Sequence, residues 1–230
     1  LQGFLGFCLQ NNFFGDKIDV VFVKADQGVF MAKEIRNFKH LLGQLEGFSN
    51  PQLEAHFGLY EGYVKKLNEI DEKLEKADKS LTNYSFGEYA ELKRRHCVPY
   101  NGTYLHEMYF DNLIAKDAPS EAFQKMAVAS FGSMDAWKAD VKATGLAVPG
   151  WVVTCVEIPT KKLKNVQIME HHIGFPVNHA PVLVMDTWEH AFFLDHKANR
   201  GAYIDVFFKN INWKVVNERF LAAVCATTEQ

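Results

Sequence analysis

The sequence predicts an α+β fold: an N-terminal antiparallel helical hairpin, then a C-terminal domain in which helices surround a small three-stranded antiparallel sheet. Three observations lead there. In the first half, apolar residues recur at three- and four-residue spacing, the period of a helix face. After residue 150 the period changes, and WVVTCVEI, NVQIME and PVLVMD appear as short Val- and Ile-rich runs bounded by Pro, Gly, Asn and Lys. Helical patterns then close the chain, so the strands cluster between helices instead of alternating with them. At 230 residues and 48% hydrophobic composition, the chain can bury a real core, as one large domain or two small ones.

The elements follow in order. The first methionine is Met31, and the stretch before it has no positively charged start and no small-residue cleavage site, so it does not read as a secretory signal. Residues 1–30 are expected to lie upstream of the natural start or to form a dispensable extension, and residues 1–36 are set apart as an extension. Ser49-Asn50-Pro51-Gln52 then reads as a helix start: Ser or Asn as cap, Pro in the first turn, Gln three after Ser. The helix runs through LEAHFGLYEGYVKKLNEIDEKLEKADK and tolerates Gly62. FGEYAELKRRHC is a second helical piece, and NGTYLHEMYFDNLIA, after Pro99, another. These fill a hairpin domain over 37–115. In the second domain, 116–230, KDAPSEAFQKMAVASFGSMDAWKADVKATG supplies two or three helices with breaks at Ala-Pro-Ser and Gly-Ser. The three strands follow, then helices at TWEHAFFLDHKA, YIDVFFKNI and KVVNERFLAAV.

Composition excludes several classes of function. A net charge of −3, a pI near 6.3 and the lack of a basic stripe argue against nucleic acid as a partner. The apolar runs fall short of the roughly 20 residues of a membrane span, so no membrane association is expected. Cys8, Cys97, Cys155 and Cys225 form no Cys-x-x-Cys pair and are read as reduced thiols in a cytoplasmic setting.

The chemistry-bearing residues stand in apolar surroundings. Of nine histidines, His56, His106, His171 and His190 fall on apolar helix or strand-end positions, and Asp186 ends an apolar run. Taken singly, each is an ordinary core histidine or, for Asp186, a helix cap. Together they are more specific. His56 shares one helix face with Tyr60 and Tyr63, His106 projects from the second helix, and Asp186 and His190 straddle a strand-to-helix junction. Burying an ionised carboxylate is costly unless it is paired or coordinates a metal. If the halves pack together, three imidazoles and one carboxylate converge on a cation, and such a set suits Fe, Mn or Zn better than Mg or Ca.

DTWEHAFFLDHKANRGAY resembles the metal-binding signature of the iron/manganese superoxide dismutases, whose pattern D-x-W-E-H carries two of the ligands. NPQLEAHFGLYEGYVKKLN resembles that family's first helix and NGTYLHEMYFDNL its second ligand helix. ASFGSMDAWK, PGW and NINW match further segments, so the resemblance covers roughly residues 40–220. It implies a homodimeric or tetrameric superoxide dismutase that holds one Fe or Mn per subunit through His56, His106, Asp186 and His190. Its substrate would be superoxide, converted to oxygen and hydrogen peroxide as the metal cycles between +3 and +2. Zinc, which has no redox chemistry, is excluded as the catalyst. Two rivals are a non-catalytic homologue that keeps the fold, disfavoured because all four ligands are present, and a zinc hydrolase, for which no general base stands near the set.

The resemblance also assigns surroundings. Trp151 is the family's active-site tryptophan and Tyr63 its gateway tyrosine, although the family's spacing from His56 is one residue longer than the seven here. Seven residues return to the same helix face without a bulge. A polar donor beside the metal-bound solvent comes in the family either from the second helix, which offers only Gly102, or from the loop MEHHIGFP, which places His171 there and His172 as the fallback. Such a donor tunes the metal. Glu189 would reach the partner subunit's ligand histidine. Tyr60 and Phe193 stand where relatives often carry a bonded His–Tyr pair, so that bond is expected to be absent. Trp188 belongs to the same surroundings, and Arg200, Lys65 and Lys66 are candidates for steering an anionic substrate.

Overall fold

Ser49 decides where the first helix begins. Its backbone is extended and its Oγ accepts the Gln52 N–H at 3.2 Å, so α1 (Asn50–Lys76) starts with Pro51 in its first turn. These positions belong to a computed structural model that describes residues 31–147 and 149–225; the stretch 1–30, expected to precede the natural start or to form a dispensable extension, lies outside the described residues. One face of α1 buries Leu53, His56, Phe57, Tyr60, Val64, Leu67 and Ile70. Each apolar side chain so buried contributes about 1.5–3 kcal/mol. The opposite face carries ion pairs such as Lys73–Glu69, worth little at such exposure.

The partner of α1 in the hairpin differs from the expectation of two helical pieces flanking Pro99. A single helix, α2 (Glu88–Asp111), runs through the proline. Pro99 has no N–H to give the Arg95 carbonyl, a cost that normally ends a helix. Here Pro99 is buried while Arg95 is exposed. The packing of α2 along α1 and across β3 holds the helix through the gap.

The break at Gly132-Ser133 separates α3 (Glu121–Phe131) from α4 (Met134–Ala147). Ser120 caps α3 by accepting the Phe123 N–H, and Gly132 ends it at φ 92°, where a side chain is unfavourable. The sheet has β1 (Trp151–Glu157) at its centre, β2 (Lys162–Ile168) and β3 (His179–Asp186) at its edges, all antiparallel. The strands are those expected, but β2 and β3 begin three and two residues early, because ladder pairing to β1 extends over polar positions that apolar pattern does not mark. Pro181 sits on the edge strand β3, next to a register shift at Thr154/Cys155, where a missing N–H is tolerated. The register pairs Trp151 with Asp186, which puts both at one end of the sheet.

Past β3 a continuous helix over 187–198 was expected. The chain instead makes a 3-10 turn, Glu189–Ala191, and a one-turn helix α5 (Phe193–His196). The Asp186 carboxylate accepts the Trp188 N–H at 2.9 Å, Phe192 leaves helical geometry, and Lys197 at φ 51° ends the segment. The chain closes with α6 (Arg200–Lys209), capped by Asn199, and α7 (Trp213–Cys225). An aromatic cluster of Phe123, Trp137, Trp213 and Phe220 joins α3, α4 and α7. The described residues from Ala32 onward form one unit, and the α+β arrangement read from the sequence is the one observed. Among the described residues, Cys97 and Cys155 are free thiols.

Candidate metal centre

Four elements each bring one ligand-type side chain to the same point: α1 gives His56, α2 His106, the end of β3 Asp186, and the following 3-10 turn His190. One donor atom from each lies within 4.8 Å of all the others. His56 Nε2 and His190 Nε2 each stand 3.1 Å from Asp186 Oδ2, and His106 Nε2 stands 3.7 Å from it. The other carboxylate oxygen is taken by the Trp188 N–H, and the Asp186 carbonyl accepts the Tyr203 hydroxyl at 2.5 Å. Tyr203 is in turn bonded to Tyr109 at 3.1 Å. Backbone and side chain of Asp186 are thus both fixed.

His106 shows the chemistry of the cluster most directly. Its Nδ1 is 2.5 Å from the Gly102 carbonyl, which can only accept, so Nδ1 carries the proton. Nε2 therefore presents a lone pair to the cluster, buried and without a hydrogen-bond partner. An orphaned acceptor of that kind is costly, and a cation beside it would remove the cost. Electrostatics agree. Burial lowers His56, against the opposing pull of Asp186, and places His106 well below the ordinary histidine value. Both favour the neutral form that a metal requires. Burial acts to raise Asp186, but the charge of His190 and hydrogen bonds from His190 and His56 hold it well below the carboxylate range. His190 is lowered by burial and raised more strongly by Asp186. It is also the most exposed of the four, so the centre opens on its side.

Beside the cluster lies a hydrogen-bonded row. The Trp151 indole N–H donates to His171 Nδ1 at 2.9 Å. Since indole nitrogen only donates, His171 carries its proton on Nε2 and gives it to the Tyr63 oxygen, 2.5 Å away. The Tyr63 proton is left free to point elsewhere, and burial raises the hydroxyl above the usual tyrosine value. The Tyr63 ring stacks on His106 with centroids 5.3 Å apart, and Trp151 meets the same imidazole edge-on at 4.9 Å. α1 remains α-helical from end to end, with no bulge between His56 and Tyr63. His171 is buried and His172 exposed.

Comparison with known proteins meets this geometry. The family described as iron/manganese superoxide dismutases, C-terminal domain, matches residues 119–219. Superoxide dismutase (Fe) of Aquifex pyrophilus is 44% identical over 194 residues, 81% of this chain and 91% of that protein. The chain belongs to the iron/manganese superoxide dismutase family. Relatives with either metal in their names are found: superoxide dismutase (Fe) of Cupriavidus metallidurans is 32% identical, over 79% of this chain and 92% of that protein. Superoxide dismutase (Mn) 1 of Halobacterium salinarum is 30% identical, over 70% of this chain and 80% of that protein.

The remaining residues expected from the superoxide dismutase pattern are placed as follows. Trp188 stacks on His190, ring planes 14° apart. Glu189 is exposed and lines a cavity with Phe192, Asn199 and Arg200. Tyr60 is buried, its hydroxyl bonded to Glu107 at 2.8 Å, and Phe193 is exposed. Lys65 pairs with Glu61, while Lys66 pairs with Glu69 and lines, with Tyr63, a groove of about 660 Å³ between α1 and α2. Sequence reasoning missed Glu107, next to ligand His106, which is buried and answered by Lys33 at 3.0 Å. Lys33 is itself strapped to α1: its backbone N–H and carbonyl both bond the Asn68 side chain. A glutamate on an apolar helix face was the available signal.

Proposed function

We propose that the protein is a superoxide dismutase that uses one iron or manganese ion held by His56, His106, Asp186 and His190. The observation that carries this reading is the convergence of three imidazole nitrogens and one carboxylate oxygen within 4.8 Å, one of them a buried nitrogen with no hydrogen-bond partner. Three nitrogens and one oxygen suit a first-row transition metal, and zinc lacks the redox step. The bound ion supplies the one-electron cycle by which one superoxide becomes oxygen and the next, with two protons, becomes hydrogen peroxide.

The chain's own groups do the rest. Asp186, oriented by Trp188 and Tyr203, supplies the anionic ligand; His106, its tautomer fixed by Gly102, supplies a neutral one. Tyr63 holds a proton at its hydroxyl oxygen beside the centre, and His171 fixes that oxygen by donating to it. Trp151 walls the site and excludes water. Lys66 and Arg200 draw the anionic substrate inward. Within the one unit formed from Ala32 onward, the stretches 37–115 and 116–230 give two ligands each. Glu189, exposed one residue before ligand His190, lies beside exposed Leu59, Phe193 and Leu194. We read this face as the contact of a homodimer, in which a partner subunit answers the carboxylate. The scattered cysteines suit a cytoplasmic protein, and among the described residues no helix is long and apolar enough to cross a membrane.

Metal-free protein reconstituted separately with iron and with manganese tests the reading. Dismutation is expected with at least one of them, and His106→Ala should lower metal content. Full occupancy by each metal without dismutation would overturn it.

A further inference from the structure

His171 has an unusual position for a residue with so defined a set of bonds. It lies on the loop between β2 and β3, where Met169 is 55% and Ile173 48% exposed, whereas His171 is 5% exposed. The loop's own bonds are local: Met169 N–H to the Ile173 carbonyl at 3.0 Å and Ile173 N–H to the Glu170 carbonyl at 3.1 Å. They shape the turn without tying it to the centre. Beside the two bonds of the His171 ring, a backbone tie is made by Asn101 on α2, whose Nδ2 donates to the backbone carbonyl of His171 at 2.6 Å.

Asn101 stands in a turn of α2 that also reaches His106 and Tyr63. The next residue, Gly102, accepts the His106 N–H through its carbonyl. Its bare Cα also makes room for Tyr63, since a Cβ there would meet the tyrosine ring at 2.6 Å. The helix therefore has no space for a side chain that could bond Tyr63, and the group that does so arrives on an exposed loop. Fixing the backbone of His171 to the helix that carries His106 sets the distance between ligand, tyrosine and imidazole.

We propose that Asn101 is a positioning residue for the reaction: it anchors the β2–β3 loop to the second ligand helix, so that His171 stays bridged between Trp151 and Tyr63. This rests on the dismutase reading for its kinetic part alone. The anchoring can be read without metal, because the Trp151 indole N–H ends on His171 Nδ1.

The test uses Asn101→Asp, which keeps shape and removes the N–H donor, and Asn101→Ala, which removes the side chain. In metal-free protein, nuclear magnetic resonance should show a shifted Trp151 indole proton and faster exchange of that proton in both variants. In protein loaded with iron or manganese, metal content should remain full while turnover falls roughly 10-fold, the low end of what losing a group bonded directly to a metal ligand costs, since Asn101 acts through His171. An unchanged indole signal in both variants would overturn the anchor. Unchanged turnover despite a shifted indole, or loss of metal together with turnover, would overturn the positioning role. If wild-type protein fully loaded with each metal shows no dismutation, the dismutase reading fails instead, and the indole result still decides the anchor.

Discussion

A methyl group at Gly102 would lie 2.6 Å from Cδ1 and 2.8 Å from Cγ of Tyr63, closer than packed atoms come. The ring is there because only seven residues separate Tyr63 from His56 on an unbroken helix, which returns the tyrosine to the ligand face. Gly102→Ala is therefore expected to cost about 1–3 kcal/mol, the usual penalty of overpacking, and to push Tyr63 away from His171. Thermal unfolding and turnover of the metal-loaded variant measure the two effects. A variant with wild-type stability and activity would show that Tyr63 can yield without consequence. At this scale the ligands were legible in sequence because two share the local motif D-x-W-E-H and two sit on helices that resemble the family's ligand helices, α1 with a clear apolar face. Gly102 and His171 were legible only as a pair, through the family's choice of donor. Asn101 and Tyr109 were not, because their bonded partners lie 70 and 94 positions away and nothing local marks them.

Among the elements, β3 shows how a strand that ends in a ligand is held. It is an edge strand, and exposed edges need covering. Asn112, the C-cap of α2, donates to the Val184 carbonyl at 2.5 Å, two residues before Asp186. Its Oδ1 accepts from Arg219 of α7 at 2.7 Å, and its backbone carbonyl takes the Asn212 N–H. One fully buried side chain thus joins α2, β3 and α7. Asn112→Ala leaves a buried carbonyl and part of a guanidinium unmatched, and about 3 kcal/mol of stability should be lost. Urea unfolding should show a lower midpoint with an unchanged slope; a loss within a few tenths of a kcal/mol would mean the edge is covered by other means. Element types were largely legible, since Ser49, Ser120 and Gly132 punctuate the helices and Val-rich runs mark the strands. Two misreadings have separate causes. Pro99 failed to break α2 because tertiary packing outweighed a local rule. The helix expected at 187–198 gave way because Asp186 captures the Trp188 N–H to fix its own carboxylate, a demand that periodicity does not reveal.

At the scale of the whole molecule, the centre makes folding depend on pH and metal together. Burial lowers His56, His106 and His171 below the free value of 6.5. The unfolded chain then binds more protons than the folded one once the pH drops below 6.5, so these groups stabilise the fold above that pH and lose their contribution as it falls. His190 is raised; its contribution is present below 6.5 and lost as pH rises through its folded value, so it opposes the other three. Asp186, held below its free value of 3.8, contributes fully above that pH and loses its contribution below it. Three against one, the metal-free protein should lose stability between pH 7.5 and 5 and lose it more steeply near 4. Metal requires the same neutral imidazoles, and at a thousandfold excess over its dissociation constant it should add about 4 kcal/mol. Melting curves at pH 7.5, 6.5, 5.5 and 4.5 with and without iron or manganese read both effects. The metal-free melting temperature should fall steadily with acid, while the loaded form should stay nearly level until protons displace the ion and the two curves meet. A metal-free protein that melts higher at pH 5.5 than at 7.5 would mean that the His190–Asp186 pair outweighs the three buried histidines, and the centre would then be held in acid by its ion pair.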